Sequence, residues 1–322
     1  MGSEYRMLPP ILSGLALWLA TYNLSLAQSF QTVDYPSALR TGVEGISGNS
    51  YVGWYYDSSG KEHGFLYDGS RYRKLNYPGT GLNTLASGIS GNNIVGTYFV
   101  AGTAGGADGF LYNGSTYQSA DCPLGHSTWA NGISGNNIVG TCDFDSPNAW
   151  GFFYNGSSYT SLMYPSSWRT EANGVSGIKV VGSYYDAAGT HGFVYDGSTY
   201  QSLNFPSATG TEAFGISGNY VVGAYWDSSD VLQGFIYDGS TYTTLDAPLG
   251  VQGTRVYGID GLSVVGTYWD SSSAHGFIAS LPVSVPEPVA AALLPFAATI
   301  ALFRIQRRQR EAAKADEGIT VR

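Results

Sequence analysis

Glu171 and Glu212 stand at matching places in neighbouring copies of a repeated segment. Two carboxylates flanking one bond are what glycoside hydrolysis requires, one to protonate the leaving oxygen and one to attack or to activate water. They form the one acid pair that the pattern of copies offers. No Ser or Cys has a base placed to activate it, and no Gly-Lys-Ser/Thr phosphate loop exists. The residues therefore point to binding rather than catalysis, and glycan cleavage by Glu171 and Glu212 stands as the alternative.

Three histidines, His63, His191 and His275, precede a recurrent Gly-Phe pair and invite a metal reading. Asp108, Trp150 and Gln233 fill the same slot elsewhere, so a symmetric histidine site cannot form and each His is expected to be structural. The runs that begin at Asp57, Asp227 and Asp270 resemble calcium loops only in their first residue. They lack the alternating oxygen ligands, and an Asp opening a turn accounts for them. Asn113-Gly114-Ser115 and Asn155-Gly156-Ser157 match the glycosylation sequon, but hairpin turns explain both. No metal and no cofactor is expected.

These residues are held by a repeat. Gly45-Ile46-Ser47 recurs at Gly88, Gly132, Gly174 (with Val175), Gly215 and Gly258 (with Asp260), at spacings of 43, 44, 42, 41 and 43 residues. Gly-Phe recurs in register at Gly64, Gly109, Gly151, Gly192, Gly234 and Gly276. A period of about 42 residues belongs to propeller blades. The 44 glycines, four lysines and 12% charged residues exclude coiled coils and helical solenoids, while 43% apolar residues exclude disorder. Each copy reads as four short strands. Asp-Gly or Asn-Gly (Asp68, Asn113, Asn155, Asp196, Asp238) reverses the chain between the third and fourth, as in a type I′ hairpin. The sixth copy lacks a fourth strand, and Phe30 to Pro36 carries that strand's pattern before the first copy. The expected fold is all-β, a six-bladed β-propeller over residues 28–281 closed by the N-terminal strand. A linear β-solenoid is the other solution, but it would not need a split strand.

The copies also locate cross-links and a binding face. Cys122 replaces Tyr77, Tyr164 and Phe205, and Cys142 replaces Tyr98, Tyr184 and Tyr225, both within one interval. Paired replacement suggests a disulfide in place of an aromatic contact. In Tyr55-Tyr56, Tyr184-Tyr185, Tyr225-Trp226 and Tyr268-Trp269, alternation puts one ring between copies and the other nearer solvent, where it offers a face for a sugar. The turns hardly vary between copies, whereas the loops after the second and fourth strands vary freely, and strand direction puts both loop sets on one rim. Arg40, His126, Trp129, Trp168, Arg169, Glu171, Glu212, Arg255 and Tyr257 gather there and form the candidate ligand face.

The two ends are read apart from the fold. Residues 1–27 form a signal peptide: Arg6 precedes the apolar run Ile11 to Ala20, and Ser25-Leu26-Ala27 supplies small residues for cleavage. Pro286-Glu287-Pro288, the apolar stretch Val289 to Phe303, and Arg304, Arg307, Arg308 and Arg310 follow the body in that order. Residues 282–310 resemble the PEP-CTERM sorting signal, with a membrane-spanning helix before the arginines. That resemblance implies processing by exosortase, a membrane anchor before processing, and a final location at the cell surface or outside. Residues 311–322 are a polar tail that such signals usually lack, expected on the cytoplasmic side. The repeat is similar to the HAF repeat of exported bacterial proteins, through Gly215-Ile216-Ser217, Val221-Val222-Gly223 and His63-Gly64-Phe65, with Ser for Asn and Gly for Ala. That similarity implies an exported repeat protein without an assigned chemistry.

Residues 28–286 hold eight Lys and Arg against 19 Asp and Glu, a balance of −11. Such a surface gains nothing from nucleic acid or anionic lipid. The expected protein is a monomeric, exported binding module for polysaccharide or a protein partner at the cell surface. The alternatives are a glycan-cleaving enzyme and a purely structural surface protein.

Overall fold

The computed structural model describes residues 29–79, 83–99, 106–123, 125–145 and 148–281. The signal peptide, the sorting segment and the polar tail lie outside the described residues. Within them the protein is all-β, with 24 strands and no helix.

Strand β1 (Ser29–Thr32) precedes the repeats. The first repeat comprises β2 (Arg40–Ser47), β3 (Ser50–Tyr56), β4 (Glu62–Tyr67) and β5 (Tyr72–Leu75). The second comprises β6 (Thr84–Ser90), β7 (Asn93–Phe99), β8 (Ala107–Tyr112) and β9 (Tyr117–Ser119), and the third β10 (Ser127–Ser134), β11 (Asn137–Asp145), β12 (Asn148–Tyr154) and β13 (Tyr159–Leu162). The fourth holds β14 (Arg169–Ser176), β15 (Lys179–Asp186), β16 (Gly189–Tyr195) and β17 (Tyr200–Leu203). The fifth holds β18 (Gly210–Ser217), β19 (Tyr220–Trp226), β20 (Leu232–Tyr237) and β21 (Tyr242–Thr244). The last has β22 (Gly253–Asp260), β23 (Ser263–Trp269) and β24 (Ala274–Ser280). Each repeat is an antiparallel meander, and β1 pairs with β24 as its outermost strand, Phe30 opposite Ala279 and Thr32 opposite Phe277. One parallel bridge, Ala149 to Arg169, joins the third and fourth repeats into a larger sheet. The arrangement is propeller-like.

The repeated residues explain how the sheets meet. The Phe of every Gly-Phe pair is buried at 2% exposure or less, as Phe65, Phe110, Phe152, Phe193, Phe235 and Phe277. The last residue of the Val-Val-Gly pattern must be small because the carbonyl of the paired inner strand and this ring both crowd it: a Cβ at Gly96 would run into the Leu85 carbonyl oxygen and would meet Phe110 at 2.8 Å. The motif glycines bring the inner strands together. A Cβ at Gly45 would sit 3.1 Å from the Cα of Gly88, and one at Gly258 would sit 3.3 Å from the Cα of Gly45, so the contacts run from the first inner strand round to the last and back.

One further contact recurs at every junction and a second at most of them. A buried Thr on each inner strand accepts a hydrogen bond from the backbone N–H that follows the preceding outer strand. The six pairs are Tyr35 to Thr41, Tyr77 to Thr84, Cys122 to Thr128, Tyr164 to Thr170, Phe205 to Thr211 and Ala247 to Thr254. Beside them lie parallel ring stacks, Tyr35 on Tyr55 and Tyr77 on Tyr98 at 3.7 Å, and Tyr164 on Tyr184 and Phe205 on Tyr225 at 3.6 Å. In the third repeat this slot holds the Cys122–Cys142 disulfide, with Cα atoms 6.1 Å apart.

The outer turns differ from the type I′ expectation. Among the residues of these turns only the glycines (Gly69, Gly114, Gly156, Gly197, Gly239) have positive φ, and Tyr67 pairs with Tyr72 across a four-residue loop. The cause is a side-chain cap: Asp68 Oδ1 accepts from the backbone N–H of Ser70 and of Arg71, which replaces the tight backbone turn. Asn113, Asn155, Asp196 and Asp238 do the same.

Candidate functional site

Inner strands start at the rim that carries the variable loops and end at the rim that carries the turns. The ladder between β2 and β3 slips between Val43 and Gly45, and the same slip recurs in every repeat. Such a bulge leaves one residue out of the ladder and re-aims its side chain. The bulged residues are Glu44, Ser87, Asn131, Asn173, Phe214 and Tyr257, and all line an axial cavity of about 70 Å³. This cavity is far smaller than the roughly 300–1,000 Å³ typical of small-ligand sites. A chain cannot thread it, so any ligand at the axis rests on a rim rather than in the channel, and the variable loops mark the loop rim.

On that side, two residues before each bulge, stand Gly42, Leu85, Trp129, Glu171, Glu212 and Arg255. Beside them, at the ends of the second strands, are Tyr56, Phe99, Asp143, Tyr185, Trp226 and Trp269. Five of these six ends are aromatic, and the rings of Tyr56, Phe99, Tyr185, Trp226 and Trp269 are half-buried. Their neighbours Tyr55, Tyr98, Tyr184, Tyr225 and Tyr268 point the other way and are buried.

A polar network crosses the repeats between these rings. Arg169 Nε donates to Glu171 Oε1 at 2.6 Å, and its Nη1 reaches Asp143 Oδ1 at 3.3 Å. The Tyr185 hydroxyl lies 3.4 Å from Glu171 Oε2 and 3.3 Å from Glu212 Oε1, and so bridges the two carboxylates. Arg255 faces Glu212 at 3.6 Å and donates from Nη1 to the Tyr257 hydroxyl at 3.4 Å. Its guanidinium lies 5.9 Å from the Phe214 ring and 6.0 Å from the Trp226 ring. Burial pushes the Glu212 carboxyl up, while Arg255 pulls it back down. Burial likewise raises the Tyr257 hydroxyl. Trp54 occupies the space beside Gly42 and donates from Nε1 to Glu44 Oε1 at 2.9 Å. Burial lifts Glu44 to about 7, against the hydrogen bonds from Ser87 and Trp54.

The structure thus brings Arg169, Glu171, Glu212, Arg255 and Tyr257 into one network, with Trp168 at its edge, 5.6 Å from Tyr185. Tyr257 lies deeper than the loop rim, because it is a bulged channel residue. Arg40 starts β2 with its guanidinium 6.0 Å from the Tyr56 ring, and Trp129 packs edge-on against Phe99 at 5.8 Å. His126 is exposed and adjoins the network through its backbone N–H, which donates to the Asp143 carbonyl at 2.8 Å. Glu44, Trp54, Asp143, Phe214 and the bridging role of Tyr185 were not anticipated. A usable signal was the residue before each motif glycine, which changes type in nearly every copy.

The repeat histidines are fixed by neighbours. His63 bonds Asn76 at 3.1 Å and Asp57 at 2.9 Å, and His275 joins Asp34 of the N-terminal segment at 2.9 Å. Among the described residues no group of three or more His, Cys, Asp or Glu is arranged to hold a metal.

No family model and no curated protein matches the chain. Solved structures do. A mutant of AofleA from Arthrobotrys oligospora has 12% identity and a TM-score of 0.50, over 78% of this chain and 86% of that one. The Aleuria aurantia lectin, described as a six-bladed β-propeller with a novel fucose recognition mode, has 12% identity and a TM-score of 0.45, over 80% and 100%. The β-propeller domain of the Trilobed protease from Pyrococcus furiosus has 9% identity and a TM-score of 0.47, over 75% and 95%. At such identities the likeness concerns the fold. Fold and site together define an all-β, propeller-like protein with an aromatic and ionic mouth on its loop rim.

Proposed function

We propose that residues 28–281 form a six-bladed propeller sealed by β1, and that this propeller is a non-catalytic binding module for extracellular polysaccharide. The observation that carries the reading is the loop-rim mouth. It combines flat aromatic faces, Tyr185, Trp226 and Trp269, with the fixed hydrogen-bonding groups of Arg169, Glu171, Glu212 and Arg255. Pyranose rings present apolar C–H faces and hydroxyl edges, and this pairing suits both. The leader and the Pro286-Glu287-Pro288 segment fit export, exosortase processing and a place at the cell surface.

Glycan-array binding of the exported body tests this. Trp226→Ala and Arg255→Ala are expected to weaken retention on the bound glycan at least tenfold, with folding checked by circular dichroism. Failure to retain any glycan refutes the proposal and favours a purely structural surface protein. One observation favours cleavage instead: Glu171 and Glu212 converge on a single hydroxyl, and burial raises Glu212 in the manner of a general acid. If the protein only binds, wild type shows no glycan turnover, and Glu171→Gln combined with Glu212→Gln changes retention alone. Loss of measurable glycan turnover in that double variant would establish the enzyme.

A further inference from the structure

Cations are unevenly placed on this acidic protein. Five of the eight Lys and Arg between residues 28 and 286 lie in the first repeat: Arg40, Lys61, Arg71, Arg73 and Lys74. Residues 77–286 hold three against 14 acids. Strand β5 is the one outer strand with basic residues. The places of Arg73 and Lys74 are taken by Gln118 and Ser119, Thr160 and Ser161, Gln201 and Ser202, Thr243 and Thr244, and in β1 by Gln31 and Thr32.

Arg73 lines a groove of about 390 Å³ between the first and second repeats, near the turn rim and away from the loop-rim mouth. Leu66, Leu75 and Ile94 give it an apolar lining, and Tyr112 and Asn113 stand across it in the second repeat. Asp68 accompanies Arg73, but it is already engaged. Its Oδ1 accepts from Ser70 and Arg71, and its Oδ2 lies 2.7 Å from Arg73 Nη2. Those bonds hold the Asp68 carboxyl well below the usual carboxylate range. A guanidinium carries five donors. The Arg73 side chain is 50% exposed, so donors remain for a ligand after Asp68 takes its share.

We infer that this groove is a second carbohydrate site, which takes the carboxylate-bearing residue of an acidic polysaccharide, a uronate. Arg73 contacts the carboxylate, for which the planar guanidinium is geometrically matched. The apolar lining and Tyr112 receive the ring. Repulsion from the acidic surface of the remaining repeats keeps a polyanion off other positions and gives the groove its selectivity. This inference does not depend on the loop-rim mouth binding anything.

The test is calorimetric titration of the full chain with a short oligogalacturonate and with its methyl ester, at low and high salt. Arg73→Gln is the informative variant, because Gln occupies the same place in β9 and β17 and the strand accepts it; melting curves check its fold. The acid is expected to bind with an affinity that falls as salt rises, and to bind at least tenfold more weakly to Arg73→Gln. The ester should bind the wild-type protein as weakly as the acid binds that variant, and Trp226→Ala should leave acid binding unchanged. Equal binding of acid and ester, equal binding by wild type and Arg73→Gln, loss of acid binding in Trp226→Ala, or no binding by wild type would each overturn the inference.

Discussion

Reduction of the Cys122–Cys142 bond should lower the melting temperature of the protein by about 6–12 °C. The bond joins residues 20 apart. Closing a loop of that length removes about 3 kcal/mol of chain entropy from the unfolded ensemble. A domain of this size loses roughly 2–4 °C for each kcal/mol. Both sulfurs are buried and the site is otherwise well determined, because Cys122 N–H donates to Thr128 and Cys142 pairs with Thr128 in the ladder. The loss should therefore come chiefly from the freed unfolded chain. Differential scanning calorimetry with and without reductant measures it, alongside Cys122→Ala combined with Cys142→Ala, which should behave like reduced wild type. Replacement of both by Tyr should recover part of the loss, since parallel stacks fill this slot in four other junctions and an aromatic pair contributes about 0.5–1.5 kcal/mol beyond its buried area. Coincident melting curves for oxidised and reduced protein would refute the reasoning, as would two reactive thiols in unreduced protein.

Three other outcomes follow from the junctions and the channel. Thr211→Val keeps the shape but leaves the Phe205 N–H without its acceptor at a site 1% exposed, so denaturant unfolding should show a loss of about 1–3 kcal/mol. Gly45→Ala places a methyl group 2.9 Å from the Ser87 carbonyl and forces adjacent inner strands apart; a loss of about 1–3 kcal/mol is expected, with a lowered urea midpoint. Glu44 has a folded-state value of about 7 against 4.5 for the free group. Between those values the folded protein keeps a proton that the unfolded chain has released, so this contribution to stability is present in acid and declines as pH rises through the window. Glu44→Gln should remove the decline, and its urea midpoint should gain on wild type from pH 5 to about pH 7 and then level off.

Much of the architecture was legible because each feature recurs. The Gly-Ile-Ser and Gly-Phe positions are fixed by a bulge and by a ring packed over glycine, requirements that each copy meets with its own residues. The Cys pair could be placed for the same reason, since its two slots are occupied elsewhere by Tyr77 with Tyr98 and by Tyr164 with Tyr184. The outer turns were misread because Asp-Gly fits two backbone solutions. Which one forms depends on the N–H groups two and three residues on reaching the Asp or Asn side chain. At the mouth, Glu171 and Glu212 are recognisable as equivalent positions, but that Tyr185 joins them depends on how two neighbouring repeats are set against each other.

The sequence by itself determined the period, the four-strand unit, the small residues at the close approaches and the acidic balance of the body. These are properties of single copies, set by local backbone preference and by the side chain that each neighbour must accommodate. Only the tertiary structure decided which side chains of neighbouring copies meet near the axis. Arg255 of the last repeat meets Glu212 of the fifth, and the cavity beneath joins Glu44 of the first to Tyr257 of the last. Those meetings depend on the angle between successive sheets and on the return of the last inner strand to the first. Neither quantity is written in any one repeat, because each arises from the sum of all the packing contacts round the axis.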